Sequence, residues 1–415
     1  MLSVASPLRR RSYRALLIGQ GVSALGDWIA TFTFMALALR ETGSPTAVGG
    51  ILALRLVPAL LGGPLAARIA ARFDRRRTMV AMDLVRAGLI AVVPLISGLW
   101  WLYFAAFTVE VCSLVALPAR DSSIPDLVDQ RSLPVANGLM LGSSFGTIPL
   151  GAAVFALIAA LPSPIRPYSI AFWFDALTYL VSAALIATLT ELDRSPRQPT
   201  EGEGEGERAL RIRDALSIPL VRAVLPATAA VAVGLGALFS LGIVLVRDVL
   251  HAGEWEFGAL VACFGVGAVV GLGALQRFHA RNALDATRVG AFLLGVIVAV
   301  FSLAPTIAFA FVGAVAFGAA AAWTLASGMG VLQSSLDGNA RVVAFAAFHA
   351  VIRSGLAAAA IGAGVAGQLV GSVRWPVVGR LEPSRLVLLC SGVLVMLSAL
   401  RMPVRSVRAR IGEVA

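Results

Sequence analysis

Long apolar runs separated by short polar segments form the dominant pattern of this chain of 415 residues. A helix of about 20 apolar residues crosses the roughly 30 Å hydrocarbon core of a bilayer, so each run of that length predicts a membrane-spanning helix. The twelve predicted spans are 14–39, 46–68, 77–97, 99–118, 134–160, 168–190, 222–246, 255–276, 287–304, 306–332, 342–371 and 385–402. The runs 77–118 and 287–332 are almost continuous, and we place their divisions at 97–100 and at Pro305. The pattern predicts an all-α polytopic membrane protein.

A polar segment divides these spans into two sets of six. It alternates Glu and Gly from Glu201 to Glu207, a composition that is typical of a flexible linker because it cannot bury a core. We therefore expect an N-terminal six-helix bundle at 1–190, a cytoplasmic linker at 191–217, and a C-terminal six-helix bundle with a short cytoplasmic tail at 218–415.

Composition supports the membrane assignment, since 58% of the residues are hydrophobic and only 14% are charged. The net charge of +11 would suggest nucleic acid in a soluble protein, but here the arginines lie in short loops between apolar runs. Most of them fall on one side when the N-terminus is placed in the cytoplasm. We expect a multi-pass protein of the cell membrane with both termini cytoplasmic and no nucleic-acid partner.

Four charged residues lie at mid-depth in the predicted spans: Asp27 in the first, Arg55 in the second, Glu110 in the fourth and Arg353 in the eleventh. A charge at a helix centre costs about 2.5–3.5 kcal/mol on insertion scales, so such residues usually form pairs or line a wet path. They are our candidates for proton coupling or for a substrate cavity. The alternative for Asp27 is that it only holds the first helix to a neighbour.

The short loop after the second span is strongly cationic, and a third span follows it directly. The loop residues of interest are Arg72, Asp74, Arg75 and Arg76, and the third span carries Asp83 and Arg86. The last two residues are three apart on one helix face, which favours a local ion pair over a transport role.

The fifth span holds Gly142, Gly146, Pro149 and Gly151. Small residues four apart let helices approach closely, and a proline removes a backbone hydrogen bond and permits a bend. Helix packing is the default interpretation, and a hinge or leak barrier is the alternative.

Several local patterns together resemble the major facilitator superfamily, and in particular its drug and siderophore exporter branch, which includes enterobactin-exporter-like proteins. The patterns are 23–28 (SALGDW), the loop after the second span, Asp83 to Arg86, 118–120 (PAR), 124–128 (IPDLV), 136–137 (AN), 176–179 (ALTY) and the glycine-proline motif. The resemblance implies two six-helix bundles and a central cavity that is bordered by helices one, two, four and eleven. It also implies proton-coupled efflux of small amphipathic organic molecules, such as drugs, siderophores or secondary metabolites, by alternating access.

The cationic loop matches the superfamily pattern G-x-L-A-D-R-x-G-R-R only in part. Its alanine and three arginines stand at their expected positions, whereas Ala71 replaces the aspartate that is thought to latch one state of the transporter. The resemblance implies that Asp74 or Asp83 takes over part of this role, or that the latch is weak. The alternative is that the arginines only set topology.

No nucleotide-binding, nucleophile or metal-site spacing is present in the sequence, so we expect neither an enzyme nor a cofactor. The expected partners are a small-molecule substrate, protons and the lipid bilayer, and the expected form is a monomer. Two rival functions remain. One is an importer or proton symporter on the same fold, and the other is a transporter-like sensor or scaffold.

We predict that Ala71→Asp changes the balance of inward- and outward-facing states, because it restores the acidic member of the loop motif. The measurement is cysteine accessibility on the two membrane faces, in a background whose native cysteines are replaced by serine. Unchanged accessibility together with unchanged transport would make this loop a topology signal.

Overall fold

The chain is almost entirely helical in the parts that the structure, a computed structural model, describes. These parts are residues 5–61, 73–129, 132–161, 168–193, 216–277, 283–336, 338–375 and 379–402. Within them, eleven helical segments are long and apolar enough to cross a membrane. A further helix of 17 residues, Pro45–Leu61, ends at the edge of a described part. The predicted all-α membrane fold is confirmed.

Seven helices follow a helical turn at Ala5–Leu8 in the first half: α1 Arg11–Thr42, α2 Pro45–Leu61, α3 Arg75–Val92, α4 Leu99–Leu127, α5 Leu133–Phe145, α6 Ile148–Ala160 and α7 Ser169–Ala187. Six helices follow in the second half: α8 Pro219–Val244, α9 Glu254–Arg277, α10 Ala283–Ser302, α11 Ile307–Ser335, α12 Gly338–Leu369 and α13 Pro383–Leu400. Short 3-10 segments at Val93–Leu95 and Thr190–Asp193 and a π-helical turn at Leu245–Val249 extend α3, α7 and α8.

Both predicted divisions of the nearly continuous apolar runs are present, because α3 and its 3-10 segment end before α4 begins, and α10 ends before α11. Two features were not predicted. The fifth span consists of two helices, α5 and α6, which meet at Gly146 and Thr147. An antiparallel hairpin, β1 Val373–Trp375 and β2 Gly379–Leu381, lies between α12 and α13. Strands of three residues are too short to leave a periodic signal in the sequence.

The chain divides into two compact units, Met1–Gly43 with Leu54–Gln198, and Ser44–Ala53 with Pro199–Ala415. Helix α2 therefore begins in the second unit and continues in the first. Most of the predicted linker, 191–217, lies outside the described residues, and the predicted domain bounds stay a prediction.

The helix contacts inside the two units correspond. In the first unit α7 packs against α1 and α3, and α3 packs against α4. In the second unit α13 packs against α8 and α10, and α10 packs against α11. The same pairs recur after six spans, which is the pattern of a parallel structural repeat.

Glycines at the helix crossings allow the close approach. A Cβ atom at Gly26 of α1 would collide with the side chains of Asp175 and Thr178 on α7. A Cβ atom at Gly151 of α6 would lie 2.7 Å from Cβ of Trp28 on α1. Packing of this kind holds helices together in a bilayer, where the hydrophobic effect between helices is weak.

We expect Gly151→Ala to lower the free energy of unfolding by about 1–3 kcal/mol, because the added methyl group overpacks the contact with Trp28. The matched control is Gly142→Ala in the same motif, where a Cβ atom would meet nothing within 4 Å. The control should be neutral or stabilising, since alanine favours the helix by roughly 0.5–1 kcal/mol over glycine. Denaturant unfolding in mixed micelles measures both. Equal effects of the two substitutions would contradict the packing interpretation.

Candidate functional site

Asp27 of α1 belongs to a charged cluster inside the first unit. Its Oδ1 atom accepts a hydrogen bond of 2.5 Å from the hydroxyl of Tyr179 on α7. The same oxygen forms an ion pair of 3.2 Å with Nη2 of Arg55 on α2. The Asp27 side chain is 23% exposed while the Arg55 side chain is 11% exposed, so the carboxylate is the less buried partner of this pair.

Arg55 connects Asp27 to a second acid. Its Nη1 atom is buried without a hydrogen-bond partner among the described residues. Glu110 of α4 is an electrostatic neighbour of the same guanidinium group. Three of the four predicted mid-depth charges, Asp27, Arg55 and Glu110, therefore lie together in one unit.

Asp83 and Arg86 of α3 form the ion pair that their spacing predicts, and both side chains are almost fully buried. The Arg86 guanidinium lies 4.4 Å from the centre of the Tyr179 ring, a cation–π contact. Its Nη1 atom also donates a hydrogen bond of 3.0 Å to Ser113 Oγ on α4. Tyr179 thus joins the two ion pairs, since its ring contacts Arg86 and its hydroxyl contacts Asp27.

Asp175 of α7 is a third aspartate in this cluster and is fully buried. Its Oδ1 atom lies 3.2 Å from Thr178 Oγ1 on the same helix, and its Oδ2 atom has no hydrogen-bond partner among the described residues. The contact with α1 is steric, through the space left by Gly26.

Arg353, the fourth predicted charge, belongs to the second unit. It is half-buried on α12, one turn after His349. Its predicted place in a substrate cavity stays a prediction.

The cationic loop is described from Phe73 onward, so Arg72 and Ala71 lie outside the described residues. Asp74 caps α3, since its Oδ1 atom accepts a hydrogen bond of 2.8 Å from the Arg77 amide. Arg75 pairs with Asp126 near the end of α4 at 2.6 Å, and Arg76 donates to the last carbonyl group of α7, that of Ala187, at 2.8 Å.

Arginines at helix C-termini satisfy free carbonyl groups and favour the helix dipole. These contacts hold the end of the loop within the first unit. The predicted gating role stays a prediction.

The glycine-proline motif surrounds the break between α5 and α6. The amide of Gly146 donates a hydrogen bond of 2.7 Å to the Gly142 carbonyl group and closes α5. Pro149 lies in the first turn of α6, where its missing N–H breaks no helical bond. The Trp28 indole N–H donates a hydrogen bond of 3.1 Å to the Ser144 carbonyl group beside the break. These contacts support the packing interpretation, and the hinge stays a prediction.

A sequence model of the Major Facilitator Superfamily matches residues 16–360. The chain belongs to this superfamily. A relative from Bacillus subtilis (strain 168), "Uncharacterized MFS-type transporter YfiS", is 27% identical over 128 residues. That match covers 31% of each chain, so this major facilitator spans about a third of the length of the curated relative that it matches.

Two solved structures share the fold of this major facilitator. A bacterial homolog to the human lysosomal transporter Spinster, inward-facing and unoccupied, superposes with a TM-score of 0.75 at 16% identity over 94% of this chain and 95% of that one. A point mutant of the nucleoside transporter NupG gives 0.71 at 11% identity over 94% and 98%. The major facilitator fold is confirmed, and the chain is a multi-pass membrane protein of a transporter superfamily whose members are generally not enzymes.

The cluster of this major facilitator offers proton and ion chemistry in a membrane-spanning unit. Carboxyl groups of Asp27, Asp83 and Asp175 surround two guanidinium groups and one phenol. Sequence reasoning missed Tyr179, which carries no charge and therefore gives no insertion penalty as a signal. The segment 176–179 contributed to the family resemblance, but no role was assigned to its tyrosine.

We expect Arg86→Leu to lower the free energy of unfolding by about 3–5 kcal/mol, because it leaves the buried Asp83 carboxylate without its cation. The double variant Asp83→Asn/Arg86→Leu should lose less than the single variant, since no buried charge is then unpaired. The control is Arg120→Leu, which removes a pair to the exposed Asp121 and should cost about 0–1 kcal/mol. Denaturant unfolding in mixed micelles measures all three. A single variant as stable as the control would overturn this interpretation.

Proposed function

We propose that the chain is a secondary active transporter that exports small amphipathic organic molecules in exchange for protons. One observation carries the proposal: the Asp27 carboxylate, in a membrane-spanning helix, is part-exposed and bound to both Arg55 and Tyr179. Ionisable residues at such depth usually belong to ion or substrate paths.

The contact supplies a physical basis for coupling. An ionised Asp27 attracts Arg55 and accepts the hydrogen bond from Tyr179, whereas a protonated Asp27 loses most of the attraction to Arg55. A protein that alternates between two states can use such a difference only if the contacts differ between the states. Proton binding at this cluster would then bias one state of an alternating-access cycle.

Direction and substrate class rest on the resemblance to the drug and siderophore exporter branch. The resemblance lies in local patterns such as 23–28 and in the glycine-proline motif of α5 and α6. Arg55 and Glu110 give the cluster both signs of charge, which suits amphipathic substrates that carry a charged group.

Location follows from the distribution of arginine. We propose that the chain lies in the cell membrane with both termini in the cytoplasm, because that orientation leaves most arginines on the cytoplasmic side. We also propose that it is a monomer. The Arg75 and Arg76 contacts to the ends of α4 and α7 suit a cytoplasmic loop end.

The experiment is dye transport in inside-out vesicles with an imposed pH gradient, with rhodamine 6G as the cationic probe and fluorescein as the anionic probe. We expect accumulation that the gradient drives in the parent, and loss to background in Asp27→Asn because the exchangeable proton is removed. Glu110→Gln should weaken the flux by reducing the negative charge beside Arg55.

Asp121→Asn, an exposed carboxylate at a helix end, is the control and should behave as the parent does. Flux of the opposite direction would favour a symporter. No proton-linked flux of either probe, with Asp27→Asn equal to the parent in every assay, would contradict the proposed antiport and favour a sensor or scaffold.

A further inference from the structure

We propose that Asp175 on α7 holds the coupling proton, and that Asp27 is the group through which this proton reaches solvent. The inference rests on the proton-coupled transport proposed above. It assigns the proton to Asp175, which is not one of the four charged residues predicted at mid-depth. Three features of the first unit carry it: charge balance, hydrogen-bond geometry and burial.

The cluster contains more acids than bases. The described charged groups that face Asp175 are Asp27 from α1, Arg55 from α2 and Arg86 from α3. Asp83 pairs with Arg86, and Asp27 pairs with Arg55, so both guanidinium groups already have a carboxylate partner. An ionised Asp175 would add a negative charge without an ion-pair partner to a buried site, which is strongly unfavourable.

Glu110 strengthens this argument, because it is a further acid beside Arg55. With Glu110 included, four carboxyl groups face two guanidinium groups. One bound proton lowers this excess of negative charge, and Asp175 is the fully buried position for it.

The hydrogen bonds around Asp175 fit a neutral carboxyl group. The Thr178 hydroxyl lies 2.7 Å from the Asp175 main-chain carbonyl oxygen and 3.2 Å from Asp175 Oδ1. A hydroxyl group has one hydrogen, and the main-chain carbonyl oxygen, at the shorter distance, is the better acceptor for it. The longer contact is then satisfied when Asp175 Oδ1 carries a proton and donates it to Thr178 Oγ1.

Among the residues that the structure describes, no donor reaches the other carboxyl oxygen. Asp175 Oδ2 is buried without a hydrogen-bond partner among the described residues. An ionised carboxylate would leave both oxygens in need of donors, whereas a protonated carboxyl group leaves only one weakly polar carbonyl oxygen unsatisfied.

The proton route passes through Asp27. Asp175 has no exposed surface, while Asp27 is 23% exposed and is bonded by Tyr179, four residues after Asp175 on α7. A Cβ atom at Gly26, the residue before Asp27, would collide with the Asp175 side chain, so the two aspartates lie where α1 and α7 approach closely. The proton moves from the Asp175 carboxyl group to the Asp27 carboxylate, which leaves Asp175 ionised and Asp27 neutral, and then from Asp27 to water.

Infrared difference spectroscopy of the purified full-length protein at neutral pH tests where the proton is held. A protonated carboxyl group has a carbonyl-stretch band that carboxylates lack. We expect this band in the difference between the parent and Asp175→Asn, a substitution of nearly equal shape. The matched control, parent against Asp121→Asn, should lack it because Asp121 is exposed and ion-paired.

A second variant keeps the test decisive if Asp175→Asn fails to fold. Thr178→Val preserves the shape of Thr178 and removes the hydroxyl oxygen that accepts the hydrogen bond from the protonated Asp175. It should move the band to higher wavenumber without abolishing it, because the carbonyl bond strengthens when the hydrogen bond is lost. A band that responds to neither substitution would overturn the proposal.

Transport of rhodamine 6G in inside-out vesicles then separates this inference from the function on which it rests. Asp175→Asn should lose accumulation driven by a pH gradient but keep exchange of labelled for unlabelled dye, which needs no net proton movement. Loss of the band with unchanged gradient-driven accumulation would show a structural proton and overturn the inference alone. Absence of gradient-driven flux in the parent would overturn the proposed function, while the infrared difference would still report the state of Asp175.

Discussion

A charge that leaves water for the interior of a membrane protein needs a partner, and the first unit of this chain is arranged around that constraint. Two ion pairs, Asp27 with Arg55 and Asp83 with Arg86, are joined by Tyr179, whose hydroxyl contacts one pair and whose ring contacts the other. The contacts draw on α1, α2, α3 and α7. Removal of one member leaves its partner buried and unpaired, which is costly. These contacts therefore hold the helices that carry the charged groups together within the unit.

Close helix approach makes this arrangement possible. Helix association in a bilayer depends on packing and polar contacts more than on the hydrophobic effect, and small residues supply the proximity. Gly26 leaves room for Asp175 and Thr178, which brings α7 near enough for Tyr179 to reach Asp27. The polar cluster and the glycine contact are therefore two parts of one interface between α1 and α7.

Sequence patterns were sufficient for the spans, because apolar length is a strong signal and arginine-rich loops separate the runs. They also identified Asp27, Arg55 and Glu110, since a charge in an apolar run is conspicuous. The role of Tyr179 and the unpaired state of Asp175 could not be predicted, because both depend on the residues that α7 faces. The sequence of one helix does not show which residues those are. The break at Gly146 and the hairpin before α13 were not predicted for another reason. Each involves only a few residues, so neither changes the hydrophobicity averaged over a whole span.

The divided fifth span cannot cross the membrane as two separate helices. Each of its two helices, α5 and α6, has 13 residues. A helix of that length reaches ~20 Å, which is short of the hydrocarbon thickness. Neither piece spans the bilayer alone, so the two helices cross it together through their junction at Gly146 and Thr147. At that junction the Ser144 carbonyl group accepts hydrogen bonds from the Thr147 hydroxyl group and from the indole N–H of Trp28 on α1. The divided span therefore crosses the bilayer with its junction stabilised partly by a neighbouring helix.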